Sequence, residues 1–556
     1  MPTRDQMWSR IGGTVDLLVV GGGINGAGIA RDAARRGLSV LLVEQNDLAF
    51  GTSSRSSKLV HGGLRYLEQM EFSLVFEAVS ERRVLLDIAP HLVNPLGFLF
   101  PIFKGSRQSL ATLKAGMWLY DGLSLFRSPK LHRSLTPADV AEEEPLLRQE
   151  GLKGAPLYYD CATDDARLTL ESALDAARLG AVIATWTRCV SFVKGEQGRI
   201  RGAVLEDVRT GATREVAAHA VINATGPWTD KTIALGTPLD RTLLRPTKGV
   251  HIVVPADRLP VQQAVVCLHP TDGRVLFAIP WGDATYIGTT DTDWEGDPAD
   301  VSADASDVTY LIDASNAYFP GQDLTPDDVI STWAGLRPLM RPVGADAEVD
   351  ESAVSREHQV VVGQDGLITI AGGKLTTFRK MSAEVVDTAV KMLRLSGHLT
   401  RPLSPAGTER EPLPGAVGWP ADDDHDRVAR RVAEVADGHL TPETARLLTD
   451  TYGMTAMALA SEVREDPSLA TPLCPGRPEI ELQVRYAARH ELAASVADVL
   501  VRRTQLFYRE ADQALGAAER VGEILAAELG WDAEHTAASV EAYRQRVAAS
   551  RRWRSG

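Results

Sequence analysis

An apolar run, Val15 to Val20 with only Asp16 interrupting, leads into Gly21-Gly22-Gly23-Ile24-Asn25-Gly26-Ala27-Gly28 and then into apolar positions at helical spacing as far as Arg36. The pattern predicts a buried parallel strand followed by a helix, and Leu38 to Val43 predicts a second strand. Two later apolar strands end in small residues: Ala220 to Trp228, which contains Ala224-Thr225-Gly226, and Leu367 to Arg379, which contains Gly372-Gly373-Lys374. Between them, Val182 to Val193, Arg199 to Val208, Val250 to Pro255, Ala264 to Leu268, Val275 to Pro280 and Tyr286 to Thr290 read as strands of a substrate domain on a mixed sheet. Proline and acid crowd into 401–426, which reads as a linker, and Arg427 to Trp553 is Ala, Leu, Glu and Arg at helical spacing. The expected fold class is α/β. A Rossmann-like dinucleotide domain interleaves with the substrate domain over 1–400, its nucleotide segments at about 14–90, 155–230 and 330–400, and an all-helical C-terminal domain covers 427–556.

The glycines carry specific chemistry. Gly21 allows the tight turn, Gly23 lets backbone approach a pyrophosphate, and Gly26 lets helix and strand pack closely. The helix start, with Ile24 and Asn25, then offers unpaired N–H groups to phosphate. Glu44, about twenty residues on, can accept from ribose hydroxyls and would repel a 2′-phosphate. Alone, this fingerprint suits NAD as well as FAD. The distant returns at Ala224-Thr225-Gly226 and Gly372-Gly373-Lys374 favour the larger flavin.

Composition narrows the class. Hydrophobic content of 44% and charged content of 24% are those of a globular protein, and 556 residues imply more than one core. A net charge of −15 argues against a general nucleic-acid binder, without excluding a local basic pocket for a small anion. The four cysteines form no CxxC or metal spacing, so no metal site is expected. Met1 to Gly13 has no apolar leader core, and no run reaches the roughly 18 residues of a membrane span. The run Leu92 to Phe103, with Lys104, Arg107, Lys114 and Met117-Trp118-Leu119-Tyr120 beyond it, is open to two readings: a dip into a membrane interface or a roof over the active site.

Several stretches resemble the FAD-dependent, respiratory glycerol-3-phosphate dehydrogenases. The most specific is Ser56 to Glu68, SSKLVHGGLRYLE, and the first signature runs from Gly21 to Gly37. Tyr159-Asp160 to Arg167, Arg245 to His251, Ile287 to Asp291, Gly335 to Leu339, Ser355-Arg356 and Gly372 to Lys374 also match. Phe378 stands where the family's second signature has Tyr. The resemblance implies a glutathione-reductase and amino-acid-oxidase type architecture, FAD as cofactor and oxidation of sn-glycerol 3-phosphate to dihydroxyacetone phosphate. It further implies electrons passed to a membrane quinone, a homodimer, and peripheral attachment to the inner face of the cytoplasmic membrane. An oxidase that uses O2 is the alternative, and a tRNA-modifying or non-catalytic flavoprotein a more distant one.

Site residues follow from the matching motifs. Arg65, Arg337, Arg356 and Lys374, with Tyr66, would hold the substrate phosphate, since guanidinium forks and ammonium suit a dianion. His251 is the expected base, because its pKa lies near working pH, with His61 as rival. Arg337 would orient the C2 hydroxyl and stabilise developing alkoxide. Thr52, Ser53, Ser57, Lys58 and Leu59 are expected along the pyrophosphate and ring, Gly62 and Gly63 against the isoalloxazine, and Val190 over adenine. Leu375, Thr376 and Thr377 join Lys374 at the flavin's pyrimidine end.

Overall fold

The computed structural model describes residues 3–63, 71–106, 109–123, 129–341 and 358–555. Thr14–Val20 lies inside an eight-stranded sheet, parallel to Val40–Val43 on one side and Thr213–Asn223 on the other. Its last four residues are all buried, so the run reads as continuous apolar sequence rather than an alternation. Val182–Ala184 and Ile368–Ala371 extend the parallel order at the two sides. Three distant parts of the chain therefore end their strands at one sheet edge. The helix Ile24–Arg35 shares a core with Asp165–Arg178 and Phe378–Leu395.

Two segments expected in the substrate domain belong to this sheet instead. Thr187–Lys194 and Ile200–Asp207 pair antiparallel with each other and, through Ile200–Asp207, with Thr213–Asn223. Alternation correctly marks them as strands, but it does not say which sheet they join.

The substrate sheet has eleven strands. Leu244–Pro255 is paired antiparallel to Ser331–Met340 and to Ala284–Gly288. Side chains alternate between faces: Val250, Ile252 and Val254 pack with Val308, Leu311 and Ile312 of the helix Ala305–Tyr318. Val253 and Trp333 pack with Val499, Phe507 and Tyr508 from the C-terminal region. Leu92 to Phe103 does not dip outward. It forms the strands Val93–Leu99 and Ile102–Phe103, with Phe98, Leu99, Ile102 and Phe103 buried.

Helices from His425–Val435 to Ala533–Ser550 make up the C-terminal part; the first three build a core of their own with Ile480 and Leu482, and those from Glu481–His490 onward share a core with the substrate sheet. The proline-rich stretch before them is a packed strap. Arg31 donates to the carbonyls of Glu411 and Thr408, Leu413 N–H donates to Ile88 at 2.8 Å, and Leu413 is buried. Among the described residues no helix is long and apolar enough to cross a membrane.

Candidate active site

A cavity of about 340 Å³ opens at the shared strand edge. Gly21, Gly23, Ile24 and Asn25 form one wall, Glu44 sits at the end of the second strand, and Thr52 and Ser53 face them. Ala224, Thr225 and Gly226 come from the second return of the chain, Lys374 and Leu375 from the third. Close packing explains the glycines: a Cβ on Gly26 would lie 1.8 Å from the Gly21 carbonyl oxygen. Gly23 caps the helix Ile24–Arg35 without a side-chain acceptor of its own, beside the cavity wall that Gly23, Ile24 and Asn25 form. Ile24 N–H donates to Ser53 Oγ at 2.9 Å. The Glu44 carboxylate accepts from Gly22 N–H at 2.7 Å and from Asn46 N–H at 2.9 Å, and burial raises its pKa.

His251 and Arg337 come from adjacent strands of the substrate sheet. In register, Thr247 opposes Arg337 and His251 opposes Trp333, which puts both functional side chains on one face. His251 is 3% exposed; its Nε2 lies 2.9 Å from Ser57 Oγ, and Nδ1 is buried with no partner among the described residues. Burial, then the charges of Arg337 and Lys58, hold its pKa well below the ordinary value. Glycines make room for both groups. A Cβ on Gly288 would stand 2.1 Å from the imidazole, and one on Gly249 would stand 2.7 Å from the Arg337 guanidinium. Arg337 pairs with Asp291 at 2.8 Å and donates to Thr289 Oγ1 and the Thr290 carbonyl.

Residues 16–379 match the family described as FAD dependent oxidoreductase, and 406–536 match the C-terminal domain of alpha-glycerophosphate oxidase. Glycerol-3-phosphate dehydrogenase 2 of Mycobacterium tuberculosis is 41% identical over 550 residues, covering 98% of this chain and 90% of the relative. The aerobic glycerol-3-phosphate dehydrogenase of Staphylococcus aureus is 36% identical over 536 residues, covering 96% and 93%. Among solved structures, the Bacillus halodurans glycerol-3-phosphate dehydrogenase complexed with FAD superposes with a TM-score of 0.79 at 33% identity, covering 98% of this chain and 97% of that one. The chain belongs to the FAD-dependent glycerol-3-phosphate dehydrogenase family.

FAD is the cofactor, and the cavity fits it on structural grounds: a glycine cradle, a helix start whose Gly23 cap offers no side chain, and a carboxylate at the second strand's end. Against the family's motifs, several side chains sit elsewhere than expected. The Lys58 ammonium does not turn to a pyrophosphate; it is 3% exposed and paired with Asp165 at 2.6 Å. That ammonium lies 5.6 Å from the Trp333 ring and 5.7 Å from the Trp281 ring. Leu59 points into the apolar core, and Ser57 faces His251 while its neighbour Ser56 lines the cavity. At the far end Thr187, Arg188 and Cys189 line the wall, and Val190 does not.

His61, Gly62 and Gly63 lie outside that wall. The His61 backbone is tied to Thr376 Oγ1, and Gly62 N–H donates to Asp160 and Tyr120. Asp160 also pairs with buried Arg82, a buried network under the glycines that sequence reasoning missed. Thr376 and Thr377 are buried in the 3-10 turn Leu375–Thr377. Phe378 is buried apolar core beside Gly28. Arg65, Tyr66 and Arg356 lie outside the described residues. Asp291, the carboxylate that fixes Arg337, closes the motif Ile287 to Asp291, and its pairing with a strand 46 residues on is not visible in that motif.

Proposed function

We propose that the protein oxidises sn-glycerol 3-phosphate to dihydroxyacetone phosphate and passes the electrons to a membrane quinone. The observation that carries the reading is His251, a buried imidazole kept neutral on the same sheet face as Arg337. When bound, FAD supplies the acceptor for the hydride that leaves C2. His251 takes the C2 hydroxyl proton, its unprotonated state favoured by burial and by two nearby cations. Arg337, held by Asp291 and Thr289, orients the hydroxyl and stabilises alkoxide charge as the carbonyl forms. Lys374, at the cavity wall, holds the substrate phosphate together with Arg65, Tyr66 and Arg356. The names of the relatives support the substrate.

Peripheral attachment to the inner face of the cytoplasmic membrane is part of the same reading. Phe72 and Phe76 on the helix Phe72–Ile88, and Trp118 and Leu119 on Leu110–Leu123, are exposed apolar side chains, with exposed Lys114 nearby in sequence. An O2-linked oxidase is the second reading, favoured by the C-terminal match to an oxidase domain. Anaerobic addition of glycerol 3-phosphate to the purified yellow protein tests the reaction. Bleaching of the flavin band is expected, and flavin that stays oxidised would refute it. Peroxide yield in air against reduction of a quinone dye separates the two acceptors.

A further inference from the structure

Phe50 lines the cavity with one side of its loop, and three guanidinium groups gather around its ring. The Arg55, Arg502 and Arg546 carbons lie 5.4, 5.8 and 5.8 Å from the ring centroid. They come from three places: the loop after the second strand, the π-helical turn Asp498–Arg503, and the final long helix Ala533–Ser550. Too few carboxylates reach them. Asp47, fully buried, accepts from Arg502 and from Arg503, and Asp498 takes a second Arg502 nitrogen. Arg502 is 2% exposed, and its Nη1 is buried with no hydrogen-bond partner among the described residues. Among the described residues no carboxylate pairs with Arg55 or Arg546; after burial, Arg546 feels the cations Arg55 and Arg502 most, while Arg55 feels Tyr508 first and Arg502 next.

Arg502 is buried while Arg55 and Arg546 are half-buried, and cation–π contact offsets only part of the cost of drawing these guanidiniums from water. Burial and the two neighbouring cations push Arg546 down to about 10. In a chain of net charge −15 this is a concentration of positive charge against the overall balance. An oxyanion between the three forks would satisfy the unmet donors and cancel the repulsion, and guanidinium forks match its oxygen geometry.

We propose that Arg55, Arg502 and Arg546 form a binding site for a small phosphate-type oxyanion, inorganic phosphate or a phosphate monoester, behind Phe50 and separate from the dinucleotide cavity. Phe50 belongs to the cavity wall, and none of Arg55, Arg502 and Arg546 does. Because the three arginines belong to the nucleotide region and to two C-terminal elements, the anion clamps the two parts together. Binding stabilises the assembled fold by mass action.

The test uses the FAD-loaded protein, in which the dinucleotide cavity is filled. Melting temperature is measured against inorganic phosphate, with chloride at matched ionic strength, for the native protein and for Arg546→Gln and Arg55→Gln. A saturable rise is expected for the native protein with phosphate but not chloride, its half-saturation at least tenfold weaker in each variant. Phosphate's competition with substrate in turnover should be the same in all three, which separates this site from the catalytic one. Repeating the titration with glycerol 3-phosphate shows which source of the group binds more tightly. In phosphate-free buffer Arg546→Gln should melt no lower than the native protein, because it removes a repelling charge. An equal rise with chloride, an unchanged half-saturation in both variants, or a lower melting point of Arg546→Gln without phosphate would overturn the proposal.

Discussion

The imidazole of His251 lies flat on the indole of Trp333, ring centroids 4.7 Å apart and planes 12° from parallel. The two are direct partners across antiparallel strands, so the stack is a consequence of sheet register. It fixes the ring with Nε2 at Ser57 and leaves Nδ1 without a hydrogen-bond partner among the described residues. Burial depresses the pKa, so the neutral base persists at pH values where an exposed histidine would be protonated. His251→Ala should lower turnover about 10²-fold or more with FAD retained, the scale of losing a general base. In the native enzyme the acidic limb of kcat/KM should lie below pH 6.5, the ordinary histidine value. Turnover within twofold of native in the variant would remove His251 from the mechanism.

Lys58, its ammonium beside the same Trp333 ring, also acts on that histidine. Its ammonium is enclosed by indole rings and paired with Asp165, which is itself fully buried and held by Ser56 N–H and Oγ. Lys58→Met leaves a buried carboxylate without its cation, a loss of about 3–5 kcal/mol. Adding Asp165→Asn should restore part of it, because the two changes act on one pair. Urea unfolding of the two single variants and the double gives the coupling directly. In Lys58→Met the acidic limb should also move to higher pH, since one of the cations that depress His251 is gone.

The local parts of this site are legible in the sequence. Gly21 to Gly28, Glu44 and the Gly372 turn each sit within one strand–turn–helix unit, where spacing fixes geometry. What joins distant strands is not. Nothing in the motif Arg245 to His251 announces that Trp333 and Gly288 will be its neighbours. Lys58 looks like a phosphate ligand because its partner, Asp165, lies on a separate helix. The apolar run at Leu92 illustrates the same limit: length and hydrophobicity alone do not separate a buried strand from an interfacial segment. Proline content suggested a linker at 401–426, while the hydrogen bonds from Arg31 that pin it depend on tertiary contact.

Lys374 lines the cavity beside Gly372 and Gly373, ahead of the turn that begins the helix Phe378–Leu395. A phosphate ligand contributes to binding in ground and transition states alike, so its removal should appear mainly in KM. For Lys374→Ala we expect KM for glycerol 3-phosphate to rise about tenfold or more, the scale of losing a charge-assisted hydrogen bond, with the flavin spectrum unchanged. Steady-state kinetics with an artificial acceptor measure this, and an unchanged KM would sink the phosphate role.

On the helix Leu110–Leu123, Leu113, Met117 and Tyr120 are buried at helical spacing, while Trp118 is 62% exposed and Leu119 43% exposed. Packing therefore uses one face; on the other, Trp118 meets the His132 ring edge-on at 4.9 Å and still stays largely exposed. If that face enters a bilayer interface, replacing Trp118 and Leu119 by Ser removes a large apolar contribution. Each large side chain is worth about 1.5–3 kcal/mol when fully buried, so partitioning should fall tenfold or more. Exposed helical serine costs the fold little, and glycerol 3-phosphate should still bleach the flavin. Sedimentation with vesicles of anionic lipid measures the partitioning, and neutral vesicles report the share that Lys114 and its basic neighbours contribute. Equal sedimentation of native and doubly substituted protein would show that attachment, where present, uses another surface.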